Sequence, residues 1–126
     1  MKLSALMTLN TVIAGLFGVG FLAMPTRVLA NYGVTGDANL DLMTRLFGGA
    51  LVGFAIISWQ ARNAGDSAAR RAIVMAFFVA DAIGFVVSLM AQLNGVSNNL
   101  GWSTVAIYLI LALGFGYHAV GSAAAD

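Results

Sequence analysis

The sequence predicts an all-α fold: an integral membrane bundle of four transmembrane helices in one domain over residues 1–126, with both termini cytoplasmic (N-in, C-in) and a short interfacial helix after the first span. Three observations predict it. Hydrophobic residues make up 60% of the chain and the mean hydropathy is +0.91. Only 9% of residues are charged, against about 25% in ordinary soluble domains. From Ala82 to Ala125 there is no Asp, Glu, Lys or Arg at all, so a bundle in water would lack the polar coat that its surface needs.

The first span is read as Leu3 to Met24. It follows Met1-Lys2 and precedes Val28-Leu29-Ala30, a pattern that also fits a secretory signal with a small-residue cleavage site. The apolar run is longer than a usual signal core, so the segment is expected to be retained. Pro25 ends this helix because it has no backbone N–H to donate. The same proline suits the first position of a new helical turn, and Gly33 suits the position just past its end, so Pro25 to Tyr32 is read as the interfacial helix.

Thr35 to Asn39 is a turn in which Asp37 or Asn39 caps the second span, about 42–61. Arg62 to Arg71 is a charged loop, followed by the third span at about 72–93. Asn94 to Asn99 is an uncharged polar loop before the fourth, about 102–122. Each span is close to the ~20 residues that cross a ~30 Å hydrocarbon core, and backbone satisfaction in lipid leaves helices as their conformation. Lys2 at the N-terminus and Arg62, Arg70 and Arg71 in the second loop fall on one side, Arg27 alone lies in the first loop and the third has none; the positive-inside rule makes the first side cytoplasmic. Trp59 and Trp102 sit near span ends, where indoles favour the interface.

Lipid tails are as apolar as Leu, so small residues that allow close backbone approach carry much of helix association in a bilayer. The first span places Ser4, Thr8, Thr11, Gly15 and Gly18 on one face. The second has Gly49 and Gly53 in a GxxxG spacing with Gly48 beside them. The third has Ala80, Gly84 and Ser88, and the fourth has Gly114, Gly116 and Gly121. Packing within the bundle is the expectation for most of these; the alternative is that the Gly49/Gly53 face mates with another chain.

Asp81 falls near the middle of the third span, where a charged carboxylate costs roughly 2.5–3.5 kcal/mol on insertion scales. It should face inward, be paired, or carry a proton. Asp81, Gly84, Ser88 and Gln92 form a polar stripe toward the external surface. Arg45, on the second span, is the expected partner in a buried pair that fixes register. Two alternatives stand beside it: Arg45 snorkels to external headgroups, or Asp81 is a proton or cation site that Arg45 regulates. His118 is the single His, and its expected role is an interhelical hydrogen bond to Asn10 or Thr11. Axial ligation of a haem or chlorin is the alternative. Tyr108 and Tyr117 share that span without separating from packing residues.

Several classes drop out. With no Cys there are no disulfides or thiolate sites, and one His without any Glu makes a multi-ligand metal site unexpected. A net charge of +1 leaves no basic footprint for nucleic acid. Gly15-Leu16-Phe17-Gly18-Val19-Gly20 lies inside a span with no preceding strand, so it is not a nucleotide loop. No catalytic set emerges.

Pro25 at the end of the first span, Tyr32-Gly33 after the interfacial turn, and Arg45-Leu46-Phe47-Gly48-Gly49-Ala50 in the second resemble small bacterial four-helix membrane proteins of the DoxX-like kind. The resemblance covers roughly residues 1–60; the remainder matches only in hydropathy. It implies a bacterial cytoplasmic (inner) membrane protein, and some such relatives are subunits of quinone-linked membrane oxidoreductases. No functional residue is carried over from it. The function expected is an accessory, structural subunit of a bacterial membrane complex, acting by helix packing and by lipid or cofactor contact, with other membrane subunits or further copies of itself as partners. The alternative is a small homo-oligomeric proton-coupled transporter or channel centred on Asp81, where symmetry is needed because four helices rarely enclose a pathway. A catalytic subunit comes third.

Overall fold

A computed structural model describes residues 1–125, with side chains through residue 121. The described chain is all-helical: α1 (Leu3–Ala23), α2 (Pro25–Asn31), α3 (Ala38–Ala61), α4 (Ala68–Leu93) and α5 (Gly101–Ala125). Four of these helices, α1, α3, α4 and α5, are long and apolar enough to cross a membrane. The second and third spans start four residues earlier than hydropathy alone places them, because polar first turns extend each helix beyond its apolar run. Asp37 Oδ1 accepts from Leu40 N at 2.9 Å and Ser67 Oγ from Arg70 N at 3.1 Å. Each side chain satisfies one of the orphan N–H groups at its helix start.

The C-terminal stops are equally local. Gly33 (φ +73°) and Gly95 (φ +72°) take the left-handed conformation that glycine adopts without penalty. After α2, Gly33 N donates to Ala30 O and Val34 N to Leu29 O. After α4, Gly95 N donates to Gln92 O and Val96 N to Ala91 O. Both are Schellman motifs, which close the last carbonyls of a helix.

The long helices form two tightly packed pairs, α1 on α3 and α4 on α5, that meet each other along a much thinner seam. The α1–α3 crossing is glycine on glycine. A Cβ on Gly18 would lie 3.0 Å from Gly48 O, and one on Gly48 would lie 2.8 Å from Gly18 O. Thr11 Oγ1 donates to Met7 O at 2.9 Å and to Ala55 O at 3.3 Å, and Gly15 faces Ala55. The expected small-residue face of α1 is therefore the face that meets α3.

On α3 the packing seam is not the expected one. A Cβ on Gly49 or Gly53 would meet nothing within 4 Å. The buried small residues are Thr44, Gly48, Ala55, Ser58 and Ala61, one helical position away. One residue is roughly 100° of rotation, enough to move Gly49 and Gly53 from the crossing to the outside. In the other pair the expected contact holds: the Tyr108 ring of α5 lies directly against Gly84 of α4, and Gly116 of α5 faces the Phe78 ring of α4. Gly114 instead receives Leu6 of α1, across the seam.

The pairs join at one end through a buried cluster of Leu6, Met7, Ala61, Val74, Phe77, Leu111, Phe115 and Ala119. These residues come from the start of α1 and α4 and the end of α3 and α5, so the same end carries Lys2, Arg62, Arg70 and Arg71. There the Arg62 guanidinium stacks 3.3 Å over the Trp59 ring and Arg71 pairs with Asp66 at 3.1 Å. Away from the seam the helices present aliphatic side chains outward: Leu16, Leu46, Ile83, Val87, Leu113 and Val120 are each more than half exposed.

Candidate functional site

Between the two pairs, and lined by residues of all five helices, lies a cavity of ≈ 330 Å³. Part of its wall is an aromatic step. Phe77 of α4 stands edge-on to Phe54 of α3 (centroids 5.7 Å apart) and tilts against Phe115 of α5 at 5.1 Å. Phe17 and Phe21 of α1, Phe47 of α3 and Tyr108 of α5 continue the wall, and Leu29, Tyr32 and Val34 from α2 and its exit roof the far end. The wall is apolar apart from a few groups, among them Asn10, Asp81, Ser97, Thr104 and Tyr108.

Asp81 sits midway along α4, is only 8% exposed and lines the cavity. Its Oδ2 is buried and finds no hydrogen-bond partner among the described residues. The expected Arg45–Asp81 pair does not form. Arg45 Nη1 donates to Leu22 O at 2.7 Å, one of the carbonyls that α1 leaves open at its C-terminus. Arg45 lies on the α3 face toward α1, whereas Asp81 faces the space between the pairs, and α3 and α4 approach each other only sparsely. Arg45 is therefore a helix-end cap on the exposed rim and does not neutralise the carboxyl.

The expected polar stripe also breaks up. Gly84 is covered by Tyr108. Ser88 Oγ turns to its own backbone, donating to Phe85 O at 3.2 Å. Gln92 braces the α4–α5 loop: Nε2 donates to Asn98 O at 3.0 Å, and Oε1 accepts from Ser97 Oγ at 2.8 Å. Of the four, only Asp81 lines the cavity.

His118 meets neither Asn10 nor Thr11. Its Nε2 lies 3.0 Å from Met1 O; a carbonyl only accepts, so Nε2 carries the proton. Asn10 instead donates from Nδ2 to Ser58 Oγ at 2.7 Å, a buried bond between α1 and α3. The His118 Nε2 is thus engaged with the chain's own backbone at the charged end, and His118 is not among the cavity-lining residues. Among the described residues no group of three His, Cys, Asp or Glu stands together to hold a metal ion.

Two parts of the site escape sequence reasoning. Asn98 fastens the α4–α5 loop to the end of α2: its N donates to Tyr32 O at 2.8 Å and its Nδ2 to Asn31 O at 3.0 Å. This clasp joins the two pairs at the cavity's roof. No periodic signal links residues so far apart in sequence, and a polar loop reads simply as a loop. Tyr108 is the other; only its fit over Gly84 distinguishes it from an ordinary packing aromatic.

A family model matches residues 1–121. The chain belongs to the family described as domain of unknown function DUF8292. The match takes in both helix pairs, the cavity and the clasp as one unit. No curated protein and no solved structure matches the chain, and the family match makes no link to DoxX-like proteins.

Proposed function

We propose that this DUF8292 chain is an integral protein of the bacterial cytoplasmic membrane, with both termini in the cytoplasm, and that it serves as an accessory subunit holding a lipid-soluble molecule between its helix pairs. The membrane placement is supported by four spanning-length apolar helices with aliphatic outer faces. Such continuous apolar surface is foreign to soluble monomers. The orientation is supported by the gathering of Lys2, Arg62, Arg70 and Arg71 at one end.

The observation that carries the functional reading is the cavity. Its ≈ 330 Å³ falls in the range of small-molecule pockets, which are apolar with a few placed polar groups. Bilayer helices otherwise pack to exclude such space, and an apolar cavity between membrane-spanning helices is most readily filled by a molecule that partitions into lipid. Native mass spectrometry of protein released gently from membrane is expected to show a small hydrophobic adduct. Ala80→Phe, which puts a ring into the cavity from α4, is expected to lose it while remaining folded. An adduct-free wild type, or an adduct that Ala80→Phe leaves in place, overturns the reading.

A second reading is favoured by the Asp81 carboxyl, whose buried Oδ2 has no partner among the described residues: a proton-coupled carrier working as a homo-oligomer. In proteoliposomes bearing a pH gradient it predicts a proton flux that Asp81→Asn abolishes. Flux equal to that of empty vesicles, or unchanged by the substitution, ends it.

A further inference from the structure

The cavity brings together two features that have one ligand chemistry in common. Aromatic rings surround it: Phe17, Phe21, Phe47, Phe54, Phe77 and Tyr108. A single carboxyl, Asp81, lines it, and one of its oxygens, Oδ2, is buried and bonded by no described residue. Among the described residues no Lys, Arg or His lines the wall, and Arg45 is committed to the end of α1. The negative faces of aromatic rings attract organic cations, most strongly where water is excluded. A buried carboxyl without a counter-ion among the described residues supplies an opposite charge when it ionises, and a cation placed beside it favours that ionised form. A pure hydrocarbon would leave the carboxyl unbonded, and an anion would meet repulsion.

We infer that the cavity takes a lipophilic organic cation, an aromatic or alkyl ammonium, with its charged centre at Asp81 and its apolar body among the phenylalanines. The inference rests on the proposal that the cavity is a ligand site, and narrows it to a chemical class. Tyr108, which lines the same cavity as Asp81 and is held against Gly84, is a positioning aromatic for that charge.

The test uses the full chain in phosphatidylcholine nanodiscs, whose zwitterionic lipid does not collect cations by surface charge. Equilibrium dialysis compares phenyltrimethylammonium with tert-butylbenzene, which has the same shape without the charge, and with acetophenone, a neutral hydrogen-bond acceptor. Binding above that of empty nanodiscs is expected for the cation alone. Asp81→Asn, which keeps the side chain's shape, is expected to weaken it by about 30-fold or more, the lower edge of what losing one partner of a buried charge pair costs. Ala80→Phe is expected to remove it. If the neutral probes bind as well as the cation and Asp81→Asn changes none of them, the cation inference is overturned while the cavity remains a ligand site. If no probe binds although a native adduct is present and lost in Ala80→Phe, the outcome is the same. If no probe binds and no adduct exists, both proposals fall.

Discussion

Gly48→Ala is expected to destabilise the protein strongly, while Gly49→Ala and Gly53→Ala are nearly silent. The Cβ of Gly48→Ala would lie 2.8 Å from Gly18 O, 2.9 Å from Phe21 Cβ and 3.1 Å from Leu22 N. Two of those three atoms are backbone of α1, so no side-chain rotation relieves the contact; the helices must separate. Separation also loosens Val52, which lies 3.0 Å from the site where a Cβ on Gly18 would sit, and lengthens the Thr11 bond to Ala55 O. Overpacking of this kind costs about 1–3 kcal/mol and occasionally more. At Gly49 and Gly53 a methyl group meets open space, and substitutions free of such contacts stay within about 0.5 kcal/mol. Reversible unfolding in mixed detergent micelles measures all three. Equal losses at positions 48, 49 and 53 would mean that the outward glycines are also covered, and would contradict the crossing described above.

Phe77→Ala is the second large effect. Phe77 is 5% exposed, bridges Phe54 and Phe115, and forms the floor between the buried cluster and the cavity. The two pairs meet on a thin seam, and this ring crosses it from α4 to Phe54 of α3. In soluble cores Phe→Ala costs about 3–5 kcal/mol. In a bilayer the apolar transfer part shrinks, because separated helices expose the ring to lipid and not to water, and lost packing dominates. The expected loss is therefore about 3 kcal/mol, the lower edge of that range, measured in the same micelles. The cavity should deepen at the same time, so hydrophobic probes bind more readily to Phe77→Ala than to the wild type. A loss below that of an exposed control such as Ile83→Ala would show that Phe77 does not hold the pairs together.

The fold and the site differ in how far they can be read along the chain. Helix caps lie within a turn of the groups they serve, so Asp37, Pro25 and Gly33 are legible as local chemistry, and the structure places each in its expected role. Arg45 and Asp81 look like partners because both are charged within apolar spans. They do not meet, because a hydropathy pattern gives depth along a helix axis but not azimuth. Gly49 and Gly53 show the same limit: a GxxxG spacing marks a face suited to packing, and a shift of one residue decides whether that face is used. His118 and Asn10 fall at similar depths, yet each takes a different partner.

By itself the sequence determined what depends on single segments: four apolar helices of spanning length, their ends, the short turn after the first, and the gathering of positive charge at one end of the bundle. These follow from local hydrogen-bond satisfaction and from apolar run length, which are properties of neighbours in the chain. The tertiary structure alone decided that the helices pair as α1 with α3 and α4 with α5, that Asn98 clasps the pairs at one end while Phe77 packs between them toward the other, and that Asp81 lines an aromatic cavity with no partner for its buried Oδ2 among the described residues. Those depend on the rotation of each helix about its own axis, which is set by how side chains from distant segments interlock, and no periodicity within one helix encodes it.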